Sequence, residues 1–278
     1  MGRLERSWRL GRVSWAVLRS DRALAVFPVA QAIGVLVCLG IFGGLIAATG
    51  LDTRSGKEGL EPIGYVFVVL LYLAVAMVTT YFQAALTFAA NDRLEGRATT
   101  FGDAAGKANS MLHRLLPWAC VQATVSIVIR ALEERGIFGQ ILAGLLGAAW
   151  SVITFLVVPI IVLEDLGPID ALKRSGQLVR HTWGENIAAQ FGFGLLAFIA
   201  GLPGLIVLGA GIGSGSVAAA VILGTIGALW LAAVTVVISA MNGIYRTALY
   251  RYAVDGEAPP AFADTDLADA FRARRRTF

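Results

Sequence analysis

Charged side chains are scarce in this sequence: Asp, Glu, Lys and Arg together make up 15% of its 278 residues, against about 25% in an average soluble protein. Histidine and cysteine are scarcer still, with two residues of each. Cys38 and Cys120 both lie in apolar segments, where packing is a more natural role than a disulfide framework. This composition excludes a soluble enzyme, a DNA-binding protein and a disordered regulator.

Motifs for cofactor or metal chemistry are also missing. The chain has no phosphate-binding loop, no dinucleotide fingerprint and no His-Glu-x-x-His pattern, each of which places specific groups around a ligand. Its glycine-rich runs fall inside hydrophobic segments, where small residues let helices approach closely. We therefore predict no catalytic residue, no cofactor and no metal site.

Long uncharged runs are what the sequence does have. The chain is 57% hydrophobic, with 29 uncharged residues between Arg22 and Asp52 and 60 between Glu185 and Arg246. A helix that spans a bilayer needs about 20 such residues. Cutting the chain at its charges predicts six spans, at 24–50, 62–90, 115–129, 136–163, 186–212 and 216–245. The run Gly211–Ser216 predicts the hairpin between the last two.

The third segment, 115–129, is short for a span, and the distribution of basic residues decides its role. With six spans and the N-terminus inside, 19 Lys and Arg residues lie on the cytoplasmic side and 4 outside. If 115–129 does not cross, the split becomes 12 to 11, which the positive-inside rule disfavours. We predict an all-α, six-helix integral membrane domain over 1–262 with both termini cytoplasmic, and a basic tail over 263–278.

Three cytoplasmic segments carry apolar residues at helical spacing, which predicts amphipathic helices at the membrane surface. The first stripe is Leu4, Trp8, Gly11, Trp15 and Leu18; the second is Ala104, Ala108, Met111 and Leu115; the third is Ile169, Leu172, Gly176, Val179 and Trp183. Thr100 and Asp103 predict a capping box at the start of the second helix. Whether the three helix-plus-hairpin units form a true repeat stays open.

Basic residues beside these stripes predict contacts with anionic lipid of the inner leaflet, since each juxtamembrane cation gains about 1 kcal/mol there. The candidate contacts are Arg6, Arg9, Arg12, Arg19, Lys173, Arg174 and Arg180. Alternatively, an interfacial helix simply needs arginines on its hydrated face. Nucleic acid is not an expected partner, because no aromatic residues alternate with these arginines.

A family resemblance rests on residues along much of the chain. They are Ser7-Trp8, Ser14-Trp15, Phe27-Pro28, Asn91-Asp92-Arg93, Trp150, Pro159, Glu164 and Trp183-Gly184-Glu185. Through them residues 5–262 resemble DUF6159, a family of bacterial and archaeal membrane proteins without an established activity, which implies a fold and a compartment only. The stretch 159–178 is also similar, more distantly, to the membrane domain attached to some glycerophosphodiester phosphodiesterases.

Two sets of polar residues are candidate sites. Inside the spans, the polar residues are expected mainly to hydrogen-bond between helices, and the alternative is a polar path if several converge. They are Gln31, Gln83, Gln122, Gln140, Gln190 and Asn242, with Thr79, Thr80, Thr87 and Ser126. At the surface, Glu164, Asp165, His181 and Glu185 form a polar cluster, read as structural rather than catalytic. Asp165 is placed to cap the helix that begins near Pro168.

These features favour a non-enzymatic protein of the cytoplasmic membrane that organises the membrane or binds lipid or protein. Anionic lipid, a second copy of the chain or another membrane protein are the expected partners. A permease or lipid-handling transporter is the alternative, and an internal cavity would favour it. A membrane-surface enzyme using the Glu164 cluster is the third possibility.

Overall fold

A computed structural model describes residues 14–19, 21–49, 62–183 and 188–255. Residues 14–19 are helical, and a short 3-10 helix covers Arg22–Ala25. The α-helices that follow are α1 (Val26–Thr49), α2 (Pro62–Leu94), α3 (Phe101–Ser110), α4 (Leu112–Glu133), α5 (Gly136–Ile153), α6 (Val157–Glu164), α7 (Pro168–Trp183), α8 (Ala188–Gly213) and α9 (Val217–Asp255). The described ranges contain no strand, so the all-α prediction is confirmed.

Six described helical stretches are long and apolar enough to cross a membrane, which is the number predicted. They are Ala23–Thr49, Ile63–Leu94, Leu112–Glu133, Gly136–Glu164, Leu196–Gly213 and Val217–Asp255. The short third segment lies in the 22-residue helix α4, about 33 Å long at 1.5 Å per residue. That length exceeds a hydrocarbon core of about 30 Å, because the helix continues through Arg114 and Arg130.

The fourth span, predicted as one continuous segment, is interrupted at residues 154–156 between α5 and α6. Pro159 causes the break, since proline has no N–H to donate to the carbonyl four residues earlier and its ring crowds that carbonyl. The Ser175 hydroxyl of α7 donates to the Ile153 carbonyl at 2.5 Å, which satisfies a backbone group at the break. Pro203, in contrast, lies inside the continuous helix α8.

Buried side chains concentrate at one end of the bundle, where α1 begins and α2, α6 and α9 end; we call this the charged end. Phe27 stacks on Phe101 there at 5.0 Å between ring centroids, and Leu24 and Ile244 are almost fully buried. Toward the opposite end, large apolar side chains are exposed, with Phe138 at 89%. The bundle is therefore compact at the charged end and open to lipid elsewhere.

The last two spans form the predicted hairpin, with a turn at Ser214–Ser216 and Gly215 in the left-handed region at φ +66°. The helices approach so closely that a Cβ on Gly227 would lie 2.8 Å from the Gly204 carbonyl oxygen. The Trp230 indole N–H donates to the Ala200 carbonyl at 2.9 Å. Small residues thus bring α8 and α9 together, as expected for helix packing in lipid.

The surface helices dock on the bundle. The predicted capping box of α3 is present between Thr100 and Asp103, and Ala104 and Ala108 of its stripe are fully buried. On α7 the stripe residue Val179 is buried, while Ile169 of the same stripe is 56% exposed. The residues of the apolar stripes therefore serve partly to hold these helices against the other helices.

Candidate functional site at the charged end

Three consecutive residues at the end of α2 connect it to three other parts of the chain. Asp92 in the middle is nearly buried, and its carboxylate pairs with Arg97 and with Lys107 of α3, both at 2.6 Å. Because a buried carboxylate is stable only when paired and hydrogen-bonded, Asp92 fixes α3 against the end of α2.

The neighbours of Asp92 reach in other directions. Arg93 lies 3.7 Å from Asp21, which precedes the first span. The Asn91 side-chain oxygen accepts from Arg251 of α9 at 3.2 Å, and Arg251 also pairs with Glu95. Since successive helical residues point about 100° apart, these contacts join the first and last spans to α2.

Of the predicted polar cluster, Glu164 makes the most contacts. Its carboxylate accepts from the Tyr250 hydroxyl at 3.0 Å and lies 3.4 Å from Arg174. Asp165 is 3.4 Å from Arg114. It does not cap α7 as predicted: it ends α6 in the left-handed conformation, at φ 50°, and the Gly167 carbonyl accepts the first bond of α7.

The rest of the cluster lies partly outside the described residues. Glu185 and the side chain of His181 belong to the undescribed part of the chain. Within the described ranges, no three His, Cys, Asp or Glu side chains are placed to hold a metal ion. Glu164 thus links α6, where it lies, to α7 and α9.

The predicted lipid-contacting residues divide by their exposure. Arg19, Lys173 and Arg180 are exposed, and Arg174 is partly buried beside Glu164. Lys173 has a surface contact with Asp170 at 3.4 Å. Arg6, Arg9 and Arg12 lie outside the described residues.

A cavity of about 90 Å³ lies between α1, α2, α6 and α9 near the charged end. Its polar lining comprises Gln31, Gln83, Thr87, Ser239, Asn242 and Arg246. Four of these were expected mainly to hydrogen-bond between helices, and the structure instead brings them to one cavity. The expectation was incomplete because periodicity places a residue on a helix face without saying which faces meet.

Arg246 is the residue that sequence reasoning missed, since it was taken as the first charge after the last span. Helix α9 continues beyond it to Asp255. Its guanidinium carbon lies 4.7 Å from the centre of the Phe155 ring, and its Nε is buried without a hydrogen-bond acceptor. The apolar pattern of Ile244, Ala248 and Leu249, all buried, was the available signal that the helix continues inside the bundle.

The fold and this site define a multi-pass helical membrane protein whose charged end is joined by ion pairs around a polar cavity. The chain belongs to the family of unknown function DUF6159, whose model matches residues 62–260. The predicted family is therefore confirmed, and the more distant similarity to the phosphodiesterase membrane domain stays a prediction. Comparison with curated proteins and with solved structures found no match.

Proposed function

We propose that this protein is a non-enzymatic component of the cytoplasmic membrane that binds anionic lipid through its charged end. The observation that carries this proposal is that an exposed apolar side chain and an exposed basic side chain lie next to each other on one face of α7. Ile169 is 56% exposed, and Lys173, four residues later, is exposed on the same helical face. An apolar side chain beside a long cation suits the boundary between acyl chains and headgroups.

The exposed cations are better candidates for lipid contact than the paired ones. Arg174 and Arg251 are paired with the partly buried carboxylates of Glu164 and Glu95, whereas Lys173 has only a solvent-exposed contact with Asp170, which leaves it freer to follow a lipid headgroup. Arg19 and Arg180 are also exposed. Each such cation gains about 1 kcal/mol near an anionic surface.

The experiment replaces Lys173 and Arg180 together by Gln in protein embedded in nanodiscs of mixed phosphatidylglycerol and phosphatidylcholine. Native mass spectrometry after release counts the lipids of each class that remain bound. The preference for phosphatidylglycerol should fall roughly thirtyfold, because two cations of about 1 kcal/mol each are removed. Binding of phosphatidylcholine should not change.

The matched control replaces Arg130 and Arg135 by Gln, which removes the same charge near the opposite end of the bundle. This control should retain more of the preference than the α7 variant, since Arg130 has two carboxylates beside it, Glu133 and Glu134, where Lys173 has one, Asp170. An equal loss in both variants, or no loss in either, would contradict a specific lipid-binding surface on α7.

A permease or lipid-handling transporter is the second candidate, and the polar cavity is the observation that favours it. Gln31, Gln83 and Asn242 meet there from three helices. A volume of about 90 Å³ suits a small polar group rather than a whole lipid. The geometry therefore favours the binding of a small polar group, which is one step of such a transport function.

A further inference from the structure

We propose that the cavity beside Arg246 is a binding site for a small oxyanion of the phosphate class. The inference concerns the interior of the bundle, and it holds whether or not the exposed residues of α7 select anionic lipid. It names a ligand chemistry for a cavity to which the proposed lipid contacts assign no role.

The first argument is the charge of Arg246. Among the described residues, no carboxylate oxygen lies within 4 Å of its guanidinium, and its only recorded partner is the Phe155 ring. Other arginines at this end, such as Arg251, have carboxylate partners. A cation inside a membrane-spanning helix is costly unless paired, and the buried Nε has no acceptor. An anion in the cavity would supply a charge partner for the guanidinium and a hydrogen-bond acceptor for the Nε.

The second argument is the supply of donors. Gln31, Gln83 and Asn242 each provide an amide with two N–H groups, and they line the cavity from three different helices. None of the described residues that line it is acidic. The planar guanidinium of Arg246 can donate two parallel hydrogen bonds to an oxyanion, while Phe155 supports one face of it.

The third argument is size and depth. A cavity of about 90 Å³ is several times the roughly 10–15 Å³ that one water molecule needs, which is room for a phosphate group but not for a whole phospholipid. Arg246 lies four residues before Tyr250, about 6 Å along the helix. Because Tyr250 contacts Glu164 at the charged end, the site is within reach of a lipid headgroup or of an anion from solution.

The experiment measures thermal unfolding of delipidated protein in a non-ionic detergent. One arm adds inorganic phosphate, with chloride at equal ionic strength as the reference. The other arm adds dioctanoyl phosphatidic acid, with dioctanoyl phosphatidylcholine as the reference. A ligand that binds the folded state raises the melting temperature. In Arg246→Gln the apparent affinity should fall at least about tenfold, since a charge-assisted bidentate contact is lost.

The matched control is Arg251→Gln, the same substitution five residues later on the same helix. It should lower the melting temperature without ligand, because Arg251 is paired with Glu95 and Asp255, and it should keep the ligand-induced rise. If Arg246→Gln does not fold, Gln83→Ala and Asn242→Ala take its place. They retain the cation and should weaken binding several-fold.

A rise with phosphate supports a site open to solution, and a rise with phosphatidic acid alone supports capture of a lipid headgroup. No rise in either arm, or an undiminished rise in Arg246→Gln or in both amide variants, would overturn the proposal. If the α7 variant loses its lipid preference but keeps the ligand-induced rise in melting temperature, the cavity and the α7 surface are two independent sites.

Discussion

The two halves of α9 differ in sequence and in surroundings, since the first half carries no charge and the second contains two arginines and an aspartate. In the first half, Val221 and Leu229 are more than 60% exposed, and the helix packs against α8. In the second half, Ile244 and Leu249 are fully buried against other spans. Hydrophobicity predicts that the uncharged first half lies in the membrane, but it does not determine which part of an apolar helix packs, because lipid chains are as apolar as leucine.

The second half of α9, which is the packed half, also has smaller and more polar side chains next to it on the neighbouring helices. The part of α2 near the charged end presents four buried alanines, at positions 84, 85, 89 and 90, which lets helix backbones approach. Ion pairs at Asp92 and Arg251 then fix the ends. Close packing and polar contacts therefore hold this end together, and three sets of variants can test that explanation.

The largest effect is expected at Asp92. Asp92→Ala removes the carboxylate that pairs with Arg97 and Lys107, and should destabilise the packed end by about 2–3 kcal/mol, the value of charge-assisted hydrogen bonds. Denaturation in a mixed-micelle titration measures it. Asp170→Ala, which breaks only an exposed pair with Lys173, is the control and should cost less than about 1 kcal/mol. Equal losses of stability in the two variants would contradict the distinction between the buried ion pairs of Asp92 and the exposed pair of Asp170.

An intermediate effect is expected from glycines on α9. In Gly227→Ala the new methyl would meet the Gly204 backbone, which cannot move aside, and the α8–α9 hairpin should lose about 1–3 kcal/mol. Gly224→Ala has open space and should be neutral or stabilising by up to about 1 kcal/mol through helix propensity. Gly243→Ala, in the packed half, meets the Leu86 side chain.

Those glycine variants are compared by their melting temperatures in one detergent. The order of stability should be Gly224→Ala highest, then Gly243→Ala, then Gly227→Ala, because a side chain can change rotamer where a backbone carbonyl cannot. If Gly227→Ala were harmless, the hairpin would be held by something other than close approach.

The smallest effect concerns pH and the start of α3. Hydrogen bonds from the Thr100 hydroxyl and backbone hold the pKa of Asp103 below its usual value. A carboxylate with a lowered pKa stabilises the folded state above its unfolded pKa of about 3.9, and that stabilisation is lost as pH falls through the folded pKa. Hydrogen exchange of residues 101–110 should therefore be faster in Asp103→Ala at pH 7.

That difference between Asp103→Ala and the unaltered protein should shrink below about pH 4, once the carboxyl is protonated. Asp92 is present in both proteins, so its own titration cancels. A difference that stays constant across this range would show that the carboxylate charge contributes nothing to the cap.

Particular elements show how far the sequence could be interpreted. The capping box, the start of α7 at Pro168 and the turn after Gly213 follow from local backbone chemistry and were predicted. The break before Pro159 was not placed, and Asp165 was assigned to the wrong helix. Both depend on neighbouring elements. The Ser175 hydroxyl donates to a carbonyl at the break, and Asp165 is left-handed because it lies in the turn between α6 and α7.

The sequence by itself determined that the chain is an all-α membrane protein with six spans, since the transfer of charge into lipid costs more than any local preference can offset. Only the tertiary structure decided that Gln31, Gln83, Asn242 and Arg246 share a cavity. Such convergence depends on how helices rotate and meet, and uniformly apolar helices carry little periodic signal that fixes their rotation.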